Sequence, residues 1–255
     1  MKLEYLDLLS GEPIFINNIG RVRSPIVREI KSVGGIGQER YSLYLNIFAW
    51  DKNQIIDNLN NLPIRGIKAL SKVPEKFYNF DIMILIPQIK KLLAEAMAFF
   101  IVERIKWEEQ SLSFVVLNEH NKEIGRIDRN NFDVLCEVVL KVNYVGVNKD
   151  KKINNESGSK TALSRWEKAQ EFLQKQNKSS NEDEEYSLGN IISKLCVVHQ
   201  SYNLFNVYEL TIFQLYDQFF QYCYLHATDL NERIFSIHGG ENFKGNEWLK
   251  NINKN

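Results

Sequence analysis

The stretch Asn206-Val207-Tyr208-Glu209-Leu210-Thr211-Ile212-Phe213-Gln214-Leu215-Tyr216-Asp217-Gln218-Phe219-Phe220-Gln221-Tyr222 decides how this chain is read. Tyr208, Ile212, Leu215, Phe219 and Tyr222 recur at steps of four and three, the spacing of one helix face. Phe213, Tyr216 and Phe220 mark a second face. Asn206 followed three residues later by Glu209 has the spacing of a capping box. Phe205 and Leu210 flank that cap as a hydrophobic staple would. The pattern therefore predicts a helix that starts at Asn206. A helix this aromatic on two sides needs cover on two sides, from its own core or, in part, from a partner chain.

Upstream of it, Leu188, Ile191, Ile192, Leu195 and Val198 predict another helix. Further back the pattern weakens. Residues 146–187 open with the charged run Lys149-Asp150-Lys151-Lys152 and close on Glu182-Asp183-Glu184-Glu185, which reads as a polar linker. Inside it Leu163, Trp166, Ala169 and Leu173, with Phe172 adjacent, fall at helical spacing. That amphipathic segment either docks on its own domain or is offered to a partner.

The first 145 residues read as an α+β domain. All five prolines lie within the first 87 residues, so the front is cut into short pieces. Short strands are expected at Tyr5–Leu9 and Ile14–Ile16, with turns at Ser10–Pro13 and Asn17–Gly20. Ser24-Pro25 marks a helix start, and Gly34-Gly35 a stop. Tyr41, Tyr44, Leu45 and Phe48 share a helix face, and Ile55, Ile56 and Leu59 suggest a shorter helix. Pro87 opens a strong amphipathic helix with Ile89, Leu92, Leu93, Ala96, Phe100 and Ile101 on its apolar stripe. A hairpin follows, Leu112–Leu117 and Glu123–Ile127 around Asn118–Asn121. Asp128 or Asn130 caps a last helix carrying Phe132, Leu135 and Val139. The expected architecture is α+β, predominantly α-helical, with a short β-rich start and a central β-hairpin between helices. Its parts are residues 1–145, the linker 146–187 and an aromatic-rich helical region 188–255. The end, from Asp229, is weakly patterned, with Gly239-Gly240 as a breaker.

Composition narrows the function. Lys plus Arg equals Asp plus Glu, 32 against 32, so the basic excess of a dedicated nucleic-acid binder is missing. No apolar run is long enough to span a bilayer, and Met1-Lys2-Leu3-Glu4-Tyr5-Leu6-Asp7 lacks the apolar core of a signal peptide. Cys136, Cys196 and Cys223 are scattered in apolar patterns, which suits buried thiols in a reducing cytosol.

No catalytic, cofactor or metal signature survives inspection. Gly34-Gly35-Ile36-Gly37 lacks the Gly-Lys-Ser/Thr of a phosphate loop, and a helix stop explains it. His120, His199, His226 and His238 stand singly, without ligand spacing. His199 ends a helix, where a cation complements the dipole. Glu209 and Asp217 lie two turns apart and read as a cap and a solvated charge. Arg21, Arg23, Arg28 and Lys31 form at most a modest anion or partner cluster.

Three segments together carry a resemblance. They are Ile19–Pro25 with Arg28-Glu29-Ile30, Tyr41 and Tyr44-Leu45; Asn143-Tyr144-Val145 before the charged linker; and Ser201–Val207 running into Leu210–Phe219. The pattern resembles phage and prophage proteins of Gram-positive bacteria placed among tail-morphogenesis genes and likened to tail assembly chaperones. The resemblance implies a non-enzymatic protein of the host cytoplasm that binds a tail or other virion component, without cofactor, nucleic acid or membrane. An alternative is a phage-encoded regulator that binds a host protein. The expected partner-binding residues are Trp166, Phe172, Tyr208, Tyr216 and Phe220.

Overall fold

The computed structural model describes residues 3–33, 37–50, 54, 78–145 and 187–239. The fold is α+β and mostly helical, as expected, with two small antiparallel sheets. The chain divides into two compact units. One holds Glu12–Pro25 and Ile30–Val142; the other holds Lys2–Gly11, Ile26–Glu29 and Asn143–Asn255. Early segments of the chain thus belong with its last helix, a grouping that periodicity along the sequence cannot show. The expected helices at 55–59 and 161–175 lie outside the described residues.

In the first unit, β1 (Ile14–Ile16) and β2 (Gly20–Val22) pair antiparallel, with Ile14 opposite Val22. The turn between them carries Asn18 at φ 64, a left-handed position that Asn tolerates better than most residues. Helix α3 (Gln38–Ala49) buries Tyr41, Tyr44, Leu45 and Phe48, the face its spacing predicts. After α4 (Asn79–Leu85), α5 (Pro87–Phe100) starts with Pro at its first position, where the missing N–H costs nothing. Ile89, Leu93, Ala96 and Phe100 of the expected stripe are fully buried, while Leu92 is half-buried.

The expected hairpin is the larger part of a three-stranded sheet. β4 (Ser113–Leu117) sits between β3 (Arg104–Glu108) and β5 (Glu123–Ile127), and β3 is the strand the sequence concealed. Its charged residues alternate with half-buried Ile105 and Trp107, a weak signal in a solvent-facing strand. Ser113 to Val116 are all buried, as befits the middle strand. Glycine is required at position 125: a Cβ there would stand 2.3 Å from the Asn18 carbonyl oxygen. Helix α6 (Phe132–Val142) is entered through an Asx turn, in which the Asp128 carboxylate accepts the Asn130 N–H at 2.8 Å.

The centre of this unit is a relay of rings. Phe48 meets Phe100 at 5.8 Å, Phe80 meets Phe132 at 5.2 Å, and Phe80 meets Phe114 edge-on at 6.2 Å. Edge and tilted contacts of this kind add to the area buried.

The second unit corrects two readings. Tyr5–Ser10 is a helix, α1, and not a strand. Asp7 accepts the Glu4 N–H at 3.1 Å, and Gly11 ends the helix at φ 75. The short helix α2 (Val27–Ser32) begins two residues after Ser24-Pro25, and the Glu29 carboxylate accepts the Ile26 N–H at 3.0 Å. Helix α7 (Leu188–Val198) is capped by Ser187, whose hydroxyl accepts from the Asn190 N–H. The last helix, α8, runs from Ile212 to His238, beyond the expected loss of pattern at Asp229, and ends at Gly239.

Candidate partner-binding surface

The start of α8 lies later than the sequence suggests. Val207–Glu209 is one 3-10 turn, Leu210 is extended, and Thr211 is the cap of α8. The Thr211 hydroxyl accepts the Gln214 N–H at 3.2 Å, and the Gln214 side-chain oxygen accepts the Thr211 N–H at 3.0 Å. This reciprocal pair is a capping box of ordinary Thr/Gln type, and it prevails over the Asn206–Glu209 spacing. Glu209 instead pairs with Arg28. Leu210 is held extended because its carbonyl accepts the Val27 N–H at 2.9 Å, beside a bridge between Ile26 and Thr211.

Asn206 does different work. Its side-chain oxygen accepts the Asn203 N–H at 2.8 Å, and its amide donates to the Ser201 carbonyl at 2.9 Å. Asn203 in turn accepts the Phe205 N–H at 2.8 Å and the Asn206 N–H at 3.2 Å. These bonds close the turn and leave Leu204 62% and Phe205 90% exposed. The expected staple of Phe205 on Leu210 is therefore absent, since the turn points the ring into solvent. At the head of that turn the His199 ring meets Tyr202 in a tilted contact at 4.5 Å. Its Nδ1 accepts the Ser201 N–H at 3.3 Å.

The five expected partner residues part company. Trp166 and Phe172 lie outside the described residues. Tyr208 is half-buried on the 3-10 turn. Tyr216 and Phe220 are 4% and 1% exposed, so the expectation of open surface there is corrected. Their cover is Tyr144. Its ring lies 5.2 Å from Phe213 and 6.1 Å from Tyr216, and stacks on Phe220 at 5.4 Å. Tyr144 holds φ 64 to reach this place, a conformation an L-residue adopts at some cost. The first face of α8 is closed too, with Ile212, Leu215 and Phe219 buried.

Asp217 is also corrected. It is fully buried, and both its oxygens accept from the Tyr5 hydroxyl at 2.9 Å. Burying a carboxylate demands such a donor. A charged residue flanked by rings that the pattern buries was the available signal.

The basic cluster divides among ordinary partners. Arg21 pairs with Glu103 at 2.7 Å, Arg28 with Glu209, and Arg23 stacks on Phe99 at 5.7 Å. Cys136 and Cys223 are half-buried, and burial pushes both thiols up, Cys223 to about 11. Neither therefore has the thiolate character of a reactive cysteine at neutral pH. Among the described residues no three His, Cys, Asp or Glu side chains are placed to hold a metal, and no helix is long and apolar enough to cross a membrane.

Among the described residues of the second unit, the large apolar side chains left exposed are Leu6 on α1, Val197 and Val198 on α7, Leu204 and Phe205 on the turn, and Leu225, Leu230, Ile234 and Ile237 on the far half of α8. Sequence reasoning passed over the turn because it read Phe205 as a staple.

Residues 175–253 match the family described as YomV second domain. The matched segment spans α7, the 199–211 connection and all of α8. YomV is a protein of a Bacillus phage region, so this part of the chain is similar to a phage-associated domain. That similarity agrees with the phage part of the resemblance seen in the sequence. No curated protein and no solved structure matches the chain.

Proposed function

We propose that this is a non-enzymatic phage protein that assists virion assembly, at the tail, by binding a structural protein partner in the host cytoplasm. The observation that carries the reading is the Leu204–Phe205 turn inside the segment similar to the YomV second domain. Four hydrogen bonds from the side chains of Asn203 and Asn206 fix its backbone. An aromatic ring exposed on a fixed turn loses little further freedom on docking, which is what a binding anchor requires. The ten residues His199–Tyr208 carry no Lys, Arg, Asp or Glu, so the turn offers apolar contact and hydrogen bonds and not charge. That favours a protein pocket over a phosphate backbone or an anionic membrane.

The test uses the full chain, tagged, in cells producing the phage. The wild type retains an identified virion structural protein, and Phe205→Ser loses it while its circular dichroism is unchanged. Recovery of no virion component with the wild type would reject the assembly role. Retention of a host protein alone would favour the phage-encoded regulator instead.

A further inference from the structure

We propose that α1 is a strap that opens on its own and, while closed, withholds the Phe213–Asp217 side of α8 from a partner. The inference begins with what α1 lacks. It has six residues, none of them buried. Helices shorter than roughly 12–15 residues are marginal in water unless packing supports them. This one leans on the polar side chains of α8. The Tyr5 hydroxyl closes over both oxygens of Asp217, and the Gln214 side-chain amide donates to the Leu9 carbonyl at 3.0 Å.

Gln214 therefore works at both ends. Its oxygen caps α8 through Thr211, and its nitrogen holds the last turn of α1. The chain leaves α1 through Gly11 at φ 75, where a Cβ would stand 3.0 Å from Gln214 Nε2 and 3.2 Å from Thr211 Cγ2. Backbone freedom at a tight contact is a natural place for a hinge.

What α1 covers differs from what it contributes. Below it lie a fully buried carboxylate and the fully buried ring of Phe213, 6.4 Å from the Tyr5 ring. Lifting α1 opens one side of α8 and leaves Tyr144 on the other, stacked on Phe220. The exposed side then presents a carboxylate beside an aromatic ring. Its matching occupant is an amphipathic helical segment of a protein partner, with an apolar side chain for Phe213 and a hydroxyl or cationic donor in the place of the Tyr5 hydroxyl. The opening stands on the geometry alone; the replacement by a partner rests on the assembly reading.

Hydrogen–deuterium exchange on the full chain tests the opening. In the wild type, amides of residues 5–11 exchange at least tenfold faster than those of Leu215–Phe220. Tyr5→Phe, which removes the donor and keeps the ring, speeds residues 5–11 at least a further tenfold and leaves Leu215–Phe220 unchanged. Asp217→Asn repeats the result if Tyr5→Phe disturbs folding. Equal rates for the two segments, or equal acceleration of both, would make α1 an integral part of the core and overturn the strap. In the virion-protein assay, Tyr5→Phe increases retention severalfold. Unchanged or reduced retention overturns the withholding role, whereas loss of all retention by the wild type counts against the assembly reading and leaves the exchange result standing.

Discussion

In the first unit, rings from α3, α4, α5, α6 and β4 meet within Ile30–Val142, a nearly continuous run of chain. In the second, α8 finishes its core with pieces brought from far away in the sequence: α1, Ile26–Glu29 and Tyr144. Both units carry a left-handed side chain and exposed apolar residues: Leu112 at φ 47 with Phe15 and Leu85 in the first, Tyr144 at φ 64 with Leu204 and Phe205 in the second. Among the described residues, only the second also buries a carboxylate, Asp217. A buried charge costs stability, and a unit selected for stability alone has no use for one. The contrast suggests that the first unit is the scaffold and the second is the working part.

Phe80→Ala is the most damaging way to probe that contrast. The ring is fully buried between Phe114 and Phe132, and such truncations cost about 3–5 kcal/mol. Denaturant unfolding measures the loss, and hydrogen exchange locates it. The expected result is weakened protection in α3, α5 and α6 with α8 little changed. Equal weakening of α8 would mean that the two units fold as one, and the comparison would lapse.

Gly125→Ala comes next. The new methyl collides with the Asn18 carbonyl, so the β1–β2 turn or β5 must shift. Overpacking of this kind costs about 1–3 kcal/mol. A melting temperature equal to that of the wild type would show that the turn yields freely and contributes little to the scaffold.

The caps sharpen the second unit. Thr211→Ala removes half of a capping box and should cost about 1 kcal/mol, with faster exchange in the first turn of α8. Asn206→Ala should leave that turn protected and loosen residues 201–206 instead. If Asn206→Ala frays α8, the helix begins where the sequence pattern alone would place it.

These cases show which parts of the fold were legible. The helix faces of α3, α5, α6 and α7 were, because burial on one side writes a period near 3.6 into the residues. The hairpin was, because its strands are β-rich and its turn is polar. Strand β3 was not, since a half-exposed strand of charged residues carries little pattern. Helix α1 was not, because six residues hold fewer than two turns and the reasons for helix lie in Asp7 and Gly11. The candidate surface was legible only as a contradiction. A helix with two aromatic faces must be covered, yet nothing in the sequence says that Tyr144 and Tyr5 supply the cover from 69 and 208 residues away, counted to Phe213. Phe205 was misjudged for the opposite reason. Its staple spacing was satisfactory, but Asn203 and Asn206 use their side chains on the turn and turn the ring outward.

The smallest expected change in stability is the most telling. Phe205→Ser replaces a ring that touches little of its own chain, and surface changes of that kind stay within about 0.5 kcal/mol. The serine keeps the backbone N–H that Asn203 accepts, so the turn should persist. A melting curve superimposed on that of the wild type, with virion-protein retention lost, separates binding from folding at one residue. A fall of several degrees in the melting temperature would mean that the ring is packed in solution, and the division of labour between the two units would have to be redrawn. An unchanged melting curve with full retention would leave the second unit as the working part but move its contact elsewhere, toward Val197 or the Leu230–Ile237 half of α8.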